Sequence, residues 1–265
     1  MHRARFTHLT TLGAMPDLVL LRHGESTWNA LNLFTGWQDV DLSANGEAEA
    51  VTAGHLLAAA EGLDLRVVHT SLLTRAIRTA EIALHQVDRS WLPVRRSWRL
   101  NERHYGDLTG RDKKETAQRY GAEQLHAWRR SYAVPPPALP EGDERSVVGD
   151  PRYRDVPAEL LPRAECLKDV VARVTPYLRD VLSEDLARES VRGGAVLVVA
   201  HGNSLRALRM VLQHIDEADI PDLEIPTGIP YRIQLDDDLG VLSAAYLGDP
   251  AVARAAAEAV ARQTG

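Results

Sequence analysis

The sequence predicts an α/β fold with a mostly parallel central sheet and helices on both faces, a three-layer sandwich. Three observations predict it. Short apolar runs alternate with helical segments along the chain, as parallel strands and their crossovers do. The 265 residues are 45% hydrophobic and 26% charged, which is ordinary for a chain with a sizeable core. Ionisable residues follow the apolar runs directly, and open α/β sheets place their sites beyond the carboxyl ends of the strands.

The elements follow in order. Residues 1–15, "MHRARFTHLTTLGAM", are basic and lack the apolar run of about seven or more residues that a secretory signal requires. Their Arg-bearing, acid-free composition fits a transit peptide, but an unstructured extension ahead of Met15 is the simpler reading. Residues 16–265 are read as a single catalytic domain. "DLVLL" is a short buried strand. "LSANGEAEAVTAGHLLAAAEG" is a helix with Ser43 as N-cap and Glu47 and Glu49 near the positive end of its dipole. "RVVHTS" is a strand, "LTRAIRTAEIALHQV" a helix and "LPVRRSWRL" a further strand. "KKETAQRYGAEQLHAWRRSYAV" reads as one helix from Lys113 to Val134. The prolines of "PPPALPEGDE" then fix φ, remove donors and end regular structure.

Beyond that break, Val170, Val171, Val174, Leu178, Val181 and Leu182 recur at helical spacing, with Pro176 expected to kink the helix. "GGAVLVVAHGNSLRALRMVLQHI" is strand, tight turn and helix. "YRIQLDD" and "GVLSAAYL" close the sheet as a hairpin-like pair. "AVARAAAEAVARQ" forms a final helix with a weak apolar face.

Bulk properties narrow the function. A net charge of −6 gives the surface no general attraction for nucleic acid, so an anion site must be a local basic cluster. No apolar run reaches the ~18 residues of a membrane span. Cys166 is the single cysteine, which excludes an internal disulfide framework and fits a reducing, cytoplasmic setting.

The residues just past the strands make one coherent set. Arg22-His23-Gly24 follows the first strand, Thr74-Arg75 the second, "NERHYG" with Glu102 the third, and His201-Gly202-Asn203 the fourth. A lone strand-end histidine is more often structural. Two in matching contexts, "LLRHGES" and "VVAHGNS", argue for function. Arg22 opposes a divalent cation, and no Asp or Cys lies at ligand spacing, so no metal site is expected. Phosphoryl chemistry fits better. A neutral imidazole is a nucleophile, and fixed guanidiniums hold the charge of a transferring phosphoryl group. Arg22, Arg75 and a protonated His201 could surround that group. Glu102 either pairs with an arginine or acts as general acid and base. A carboxyl crowded by phosphate and shielded from water suits the second role. Glycine after each histidine would let the backbone turn and a ligand approach. Lys113, Arg129 and Arg130 are either a solvated face or a second set of cations. Lys113 opposes the dipole at its helix start, a cost that a bound anion would offset.

With those residues assembled, the chain resembles the cofactor-dependent phosphoglycerate mutases of the histidine phosphatase superfamily. "RHG" marks the superfamily, while "LFTGW", "LNERHYG", "WRRSY" and "HGNSLRAL" mark the mutase branch. The likeness runs from Leu18 to the tail. It implies His23 as the phosphorylated nucleophile through Nε2, with Arg22, Arg75 and His201 on the phosphoryl group and Glu102 serving the substrate hydroxyl. It implies that Asn29, Thr35, Gly36, Tyr105, Lys113, Arg129, Arg130, Gly202 and Asn203 hold the rest of the glycerate. The implied reaction interconverts 3-phosphoglycerate and 2-phosphoglycerate. The intermediate, 2,3-bisphosphoglycerate, also primes the enzyme. The implied partners are small phosphoglycerates, with no metal, and the implied assembly is a homodimer or homotetramer. A histidine phosphatase of the same superfamily is the alternative enzyme. A non-catalytic phosphate-binding module would have no need of His23 or Glu102. The chain departs from the family's pattern at Asp112 and Lys114, in a tail without lysine, and in its N-terminal extension.

Overall fold

The structure, a computed structural model, describes residues 15–262. The extension expected over residues 1–15 lies, but for Met15, outside the described residues. The first half of the chain forms β1 (Asp17–Arg22), α1 (Thr27–Ala30), α2 (Ala44–Ala59), β2 (Leu65–Thr70), α3 (Thr74–Gln86) and β3 (Val94–Arg96). A helical excursion, α4 (Lys113–Tyr120) and α5 (Ala122–Arg130), follows. The second half contains α6 (Leu167–Tyr177), α7 (Ser183–Ser190), β4 (Ala195–Ala200), α8 (Gly202–Gln213), β5 (Tyr231–Leu235), β6 (Val241–Tyr246) and α9 (Pro250–Arg262).

The six strands lie in the order β3-β2-β4-β1-β5-β6. β3, β2, β4 and β1 are mutually parallel. β5 runs antiparallel to both β1 and β6, so the expected closing pair is present and β5 is the reversed strand. Leu18 through Leu21 are all buried because both faces of β1 are covered. Alternation along the strand assigns its residues to two cores. Leu18 and Leu20 pack with Val170, Val174, Leu205 and Leu208 from α6 and α8. Val19 and Leu21 pack with Ala53, Leu57, Ala80 and Leu84 from α2 and α3. Those two cores are the two interfaces of a three-layer sandwich.

Local chemistry sets the element ends, with some departures from expectation. Ser43 caps α2 by accepting from the Gly46 amide at 3.1 Å. Glu47 sits in the first turn, but Glu49 turns aside and accepts from the Glu25 amide at 2.7 Å. The single helix expected from Lys113 to Val134 is instead α4 and α5, broken at Gly121 and ending at Arg130. The φ of +89° at Gly121 is left-handed and cannot continue a helix. The third strand shrinks to Val94–Arg96 and is followed by a 3₁₀ turn, Trp98–Leu100. Pro176 lies inside α6, and the helix widens just after it into a π-turn, Leu178–Leu182, before α7. Proline lacks the N–H that the regular ladder needs, and a changed hydrogen-bond pattern absorbs the defect.

Candidate active site

The register of the sheet places the two histidines. In the β1–β4 pairing Arg22 lies opposite Ala200, and the His23 amide donates to the Ala200 carbonyl at 3.0 Å. The next residue of β4 is His201, so both imidazoles leave neighbouring strand ends together. Their centroids are 4.8 Å apart with the rings at 60°. His23 is only 3% exposed and His201 is fully buried.

The backbone determines which nitrogen of His23 is free. Nδ1 lies 2.6 Å from the Gly24 carbonyl, which can only accept, so Nδ1 carries the proton. In the neutral ring Nε2 then holds the lone pair. Burial, with Arg75 and Arg22 beside it, pushes the His23 pKa well below its ordinary value. Burial, then Arg75 and His23, do the same to His201. The protonated His201 considered from sequence is therefore not the state of the free site. Its Nε2 lies 2.8 Å from Ser71 Oγ, and its Nδ1 is buried with no hydrogen-bond partner.

Neither glycine after a histidine has a positive φ, so what each supplies is the missing Cβ rather than a left-handed backbone. A Cβ on Gly24 would sit 2.1 Å from the Gly46 carbonyl oxygen, so Gly24 is there to let α2 approach. A Cβ on Gly202 would lie 3.7 Å from Arg22 and from Glu102 Oε2, in the space between those two side chains.

The arginines are held by backbone carbonyls. Arg75 is 1% exposed and donates to the Gly36 carbonyl at 2.8 Å and the Gln38 carbonyl at 2.9 Å. Burial lowers its pKa to about 10, opposed chiefly by Glu102, so it stays charged at neutral pH. Arg22 donates to the Ile225 carbonyl at 2.7 Å, while its Nε is buried and unpartnered. Thr35 Oγ1 is likewise buried and unpartnered. Buried donors without partners are costly, and these line the cavity that contains His23, where an anion's oxygens would satisfy them.

Glu102 does not form the arginine salt bridge weighed from sequence; among the described residues it has no ion pair. Its Oε1 accepts from the Arg103 amide at 2.7 Å and the Asn203 amide at 3.1 Å. Its main-chain carbonyl accepts from Trp37 Nε1 at 2.5 Å and Arg173 at 2.9 Å, which fixes the loop. Oε2 is left facing the gap beside Gly202 and Arg22.

Two adjoining cavities share Arg22, Glu102, Tyr105, Arg129 and Val260. The first also contains His23, Asn29, Thr35, Gly36, Arg75 and Lys113. The second contains Arg130, Gly202 and Asn203. Nearly every residue singled out from sequence thus lines one space; His201 stands behind it, against the His23 ring. Lys113 is buried at the first position of α4, with Asp112 as the N-cap accepting from the Lys114 and Glu115 amides. Desolvation, with Arg129 and Arg22 next, lowers the Lys113 pKa to about 7. A bound anion would restore its charge.

Sequence reasoning missed Arg206, Glu224 and Val260, which line the second cavity, and the buried Arg103 that stands behind Tyr105. Arg206 on α8 donates to Asn203 Oδ1 at 3.0 Å and to the Ile220 carbonyl at 2.5 Å. Arg103 stacks over Tyr105 at 4.9 Å and donates to the Arg129 carbonyl at 2.7 Å. The sequence signal available for Arg206 was its place three residues after Asn203, one turn along the same helix face. Glu224 and Val260 carry no local signal. Among the described residues no group of three or more His, Cys, Asp or Glu is arranged to hold a metal ion.

Comparison with known proteins agrees with this geometry. The family model of the histidine phosphatase superfamily (branch 1) matches residues 18–246. A 2,3-bisphosphoglycerate-dependent phosphoglycerate mutase of Streptomyces avermitilis is 57% identical over 248 residues, covering 93% of this chain and 96% of that one. The mutase of the same description from Nitratidesulfovibrio vulgaris (strain DP4) is 55% identical over 249 residues, covering 94% and 98%. Among solved structures, mycobacterial hydrolase 1 superposes with a TM-score of 0.64 at 26% identity, covering 88% of this chain and 96% of its own. A mycobacterial glucosyl-3-phosphoglycerate phosphatase in complex with VO3 gives 0.63 at 27% identity, covering 83% and 92%.

Proposed function

The chain belongs to the histidine phosphatase superfamily and, within it, to the 2,3-bisphosphoglycerate-dependent phosphoglycerate mutases, and we propose that His23 carries the phosphoryl group through its reaction. The chain is an isomerase that interconverts 3-phosphoglycerate and 2-phosphoglycerate. Phospho-His23 gives its phosphoryl group to the substrate's free hydroxyl. The bond from phosphorus to Nε2 breaks as the bond to oxygen forms, and Glu102 takes the hydroxyl proton. The resulting 2,3-bisphosphoglycerate turns in the site. Nε2 attacks the other phosphorus, its bond to the sugar-acid oxygen breaks, and Glu102 returns the proton to that oxygen. Arg22 and Arg75 hold the phosphoryl in flight with His201 behind it against the His23 ring, and Thr35 and Asn29 add donors to it. Guanidiniums fixed beforehand by carbonyls stabilise its charge without reorganising at the moment of transfer.

The observation that carries this reading is His23 itself, a buried neutral imidazole with Nδ1 tied to Gly24 and Nε2 free among cations. A phosphatase reading would use the same nucleophile with water as acceptor. The second cavity favours the mutase, because Arg130, Asn203 and Arg129 beyond the phosphoryl pocket suit a ligand with two anionic groups. The test is conversion of 3-phosphoglycerate by purified protein under chelator, with and without a trace of 2,3-bisphosphoglycerate. Strong stimulation of 2-phosphoglycerate formation is expected. Release of inorganic phosphate without 2-phosphoglycerate would make it a phosphatase.

A further inference from the structure

The second cavity contains a carboxylate that the reaction does not call for. Glu224 lies in the segment after α8, and its Oε1 is 2.5 Å from Arg130 Nη2, with the two side chains 15% and 10% exposed. The segment is pinned. Its Ile225 carbonyl accepts from Arg22 at 2.7 Å, the Gly228 amide donates to the Arg22 carbonyl at 3.1 Å, and Tyr246 Oη donates to the Glu224 carbonyl at 3.4 Å. Glu224 therefore lines the cavity from a pinned wall, in direct contact with Arg130, which lines it too. Its charge also acts on Arg129 and Arg206.

We propose that Glu224 is an internal competitor for the substrate's second anionic group: its carboxylate occupies Arg130 in the free enzyme and must be displaced or shared when that group binds. The inference rests on the phosphoglycerate reading and refines it. A ligand with two anions gains one partner, Arg130, only at the expense of an existing pair. It must also lie close to a like charge. Both effects weaken the hold on the outer anion far more than that on the phosphoryl pocket around His23, which Glu224 reaches only through its charge on Arg129. The consequence suits a mutase, since an intermediate that must turn over in the site cannot be gripped too tightly at its outer end.

The test compares wild-type protein with Glu224→Gln by calorimetry, using 3-phosphoglycerate and inorganic phosphate as the two ligands. Glutamine keeps the shape and removes the charge. Affinity for 3-phosphoglycerate should rise about two- to fivefold, the range of a partly exposed ion pair. Inorganic phosphate, which needs only the His23 cavity, should gain little, because Glu224 reaches that cavity only through Arg129. In an Arg130→Gln background the gain should vanish, because there is no guanidinium left to release. Weaker or unchanged binding of 3-phosphoglycerate would make Glu224 a mere anchor for Arg130. An equal gain for both ligands, or one that survives in the Arg130→Gln background, would make it a general field effect. Either result overturns the proposal. If wild-type protein binds inorganic phosphate but not 3-phosphoglycerate, the phosphoglycerate reading itself fails. Thermal melting of each variant separates these outcomes from misfolding.

Discussion

His23 and Glu102 are both buried ionisable groups, yet the structure prepares them in opposite ways. His23 is kept uncharged by burial and by Arg75 and Arg22, so its lone pair is available at neutral pH. Glu102 is kept within reach of two backbone amides on Oε1, which leaves Oε2 to exchange a proton. His23→Ala should therefore abolish both turnover and the gain of one phosphoryl group seen by intact mass after incubation with 2,3-bisphosphoglycerate. Phosphorylation persisting in that variant would move the nucleophile elsewhere. Glu102→Gln keeps the amide contacts and loses the proton exchange. It should lower kcat by roughly 10² to 10⁴, the usual worth of a general acid and base, while KM changes little. A loss confined to KM would make Glu102 a binding group.

At the scale of elements, the site depends on how closely α2 lies against the end of β1. Gly24 and Gly46 make that approach possible, since a Cβ on Gly46 would stand 1.9 Å from the Glu25 carbonyl oxygen. The strain of Gly46→Ala must be relieved by moving the backbone that orients His23 Nδ1. It should cost about 1–3 kcal/mol of stability, as overpacking does, and lower kcat as well. Gly62→Ala is the matched control. Its φ is +67° but open space surrounds it, so it should destabilise by about 1 kcal/mol with kcat unchanged. If Gly46→Ala keeps full turnover, the tautomer of His23 does not depend on this packing. The same scale shows what the sequence could reveal. Ser43 before an alanine-rich run, or "LVLLRHG" leaving a strand, are local signals, and those elements and the two histidines were readable from them. The break at Gly121 was not, because one glycine inside a helical pattern is usually tolerated. The contact of Arg206 with the Ile220 carbonyl became visible only when α8 packed, and Arg130 and Glu224 lie 94 residues apart in sequence.

For the molecule as a whole, the buried histidines tie stability to pH. His69 Nδ1 hydrogen-bonds with Tyr177 Oη at 2.7 Å and its Nε2 lies 3.0 Å from Asp185, so β2 meets α6 and α7 at this ring. Burial lowers the pKa of His69 to about 4 and that of His104 to about 4, from an ordinary 6.5. Burial lowers His23 and His201 well below the ordinary value in the same direction. Each group binds a proton more readily in the unfolded chain than in the folded one. Stability from this source is thus complete above pH 6.5 and lost as pH falls toward 4. His69 and His104 would each contribute about 3 kcal/mol over that range, at about 1.4 kcal/mol per unit. Urea unfolding at pH 7 and pH 4.5 should show a large fall in stability, and the melting temperature should drop continuously between them. The same ordering bears on activity. His23 resists protonation well below pH 6.5, so the acid limb of the rate profile should follow the loss of folded protein rather than an independent titration of the nucleophile. A limb centred near pH 6.5 with the fold intact would mean that His23 is wetter than its burial implies.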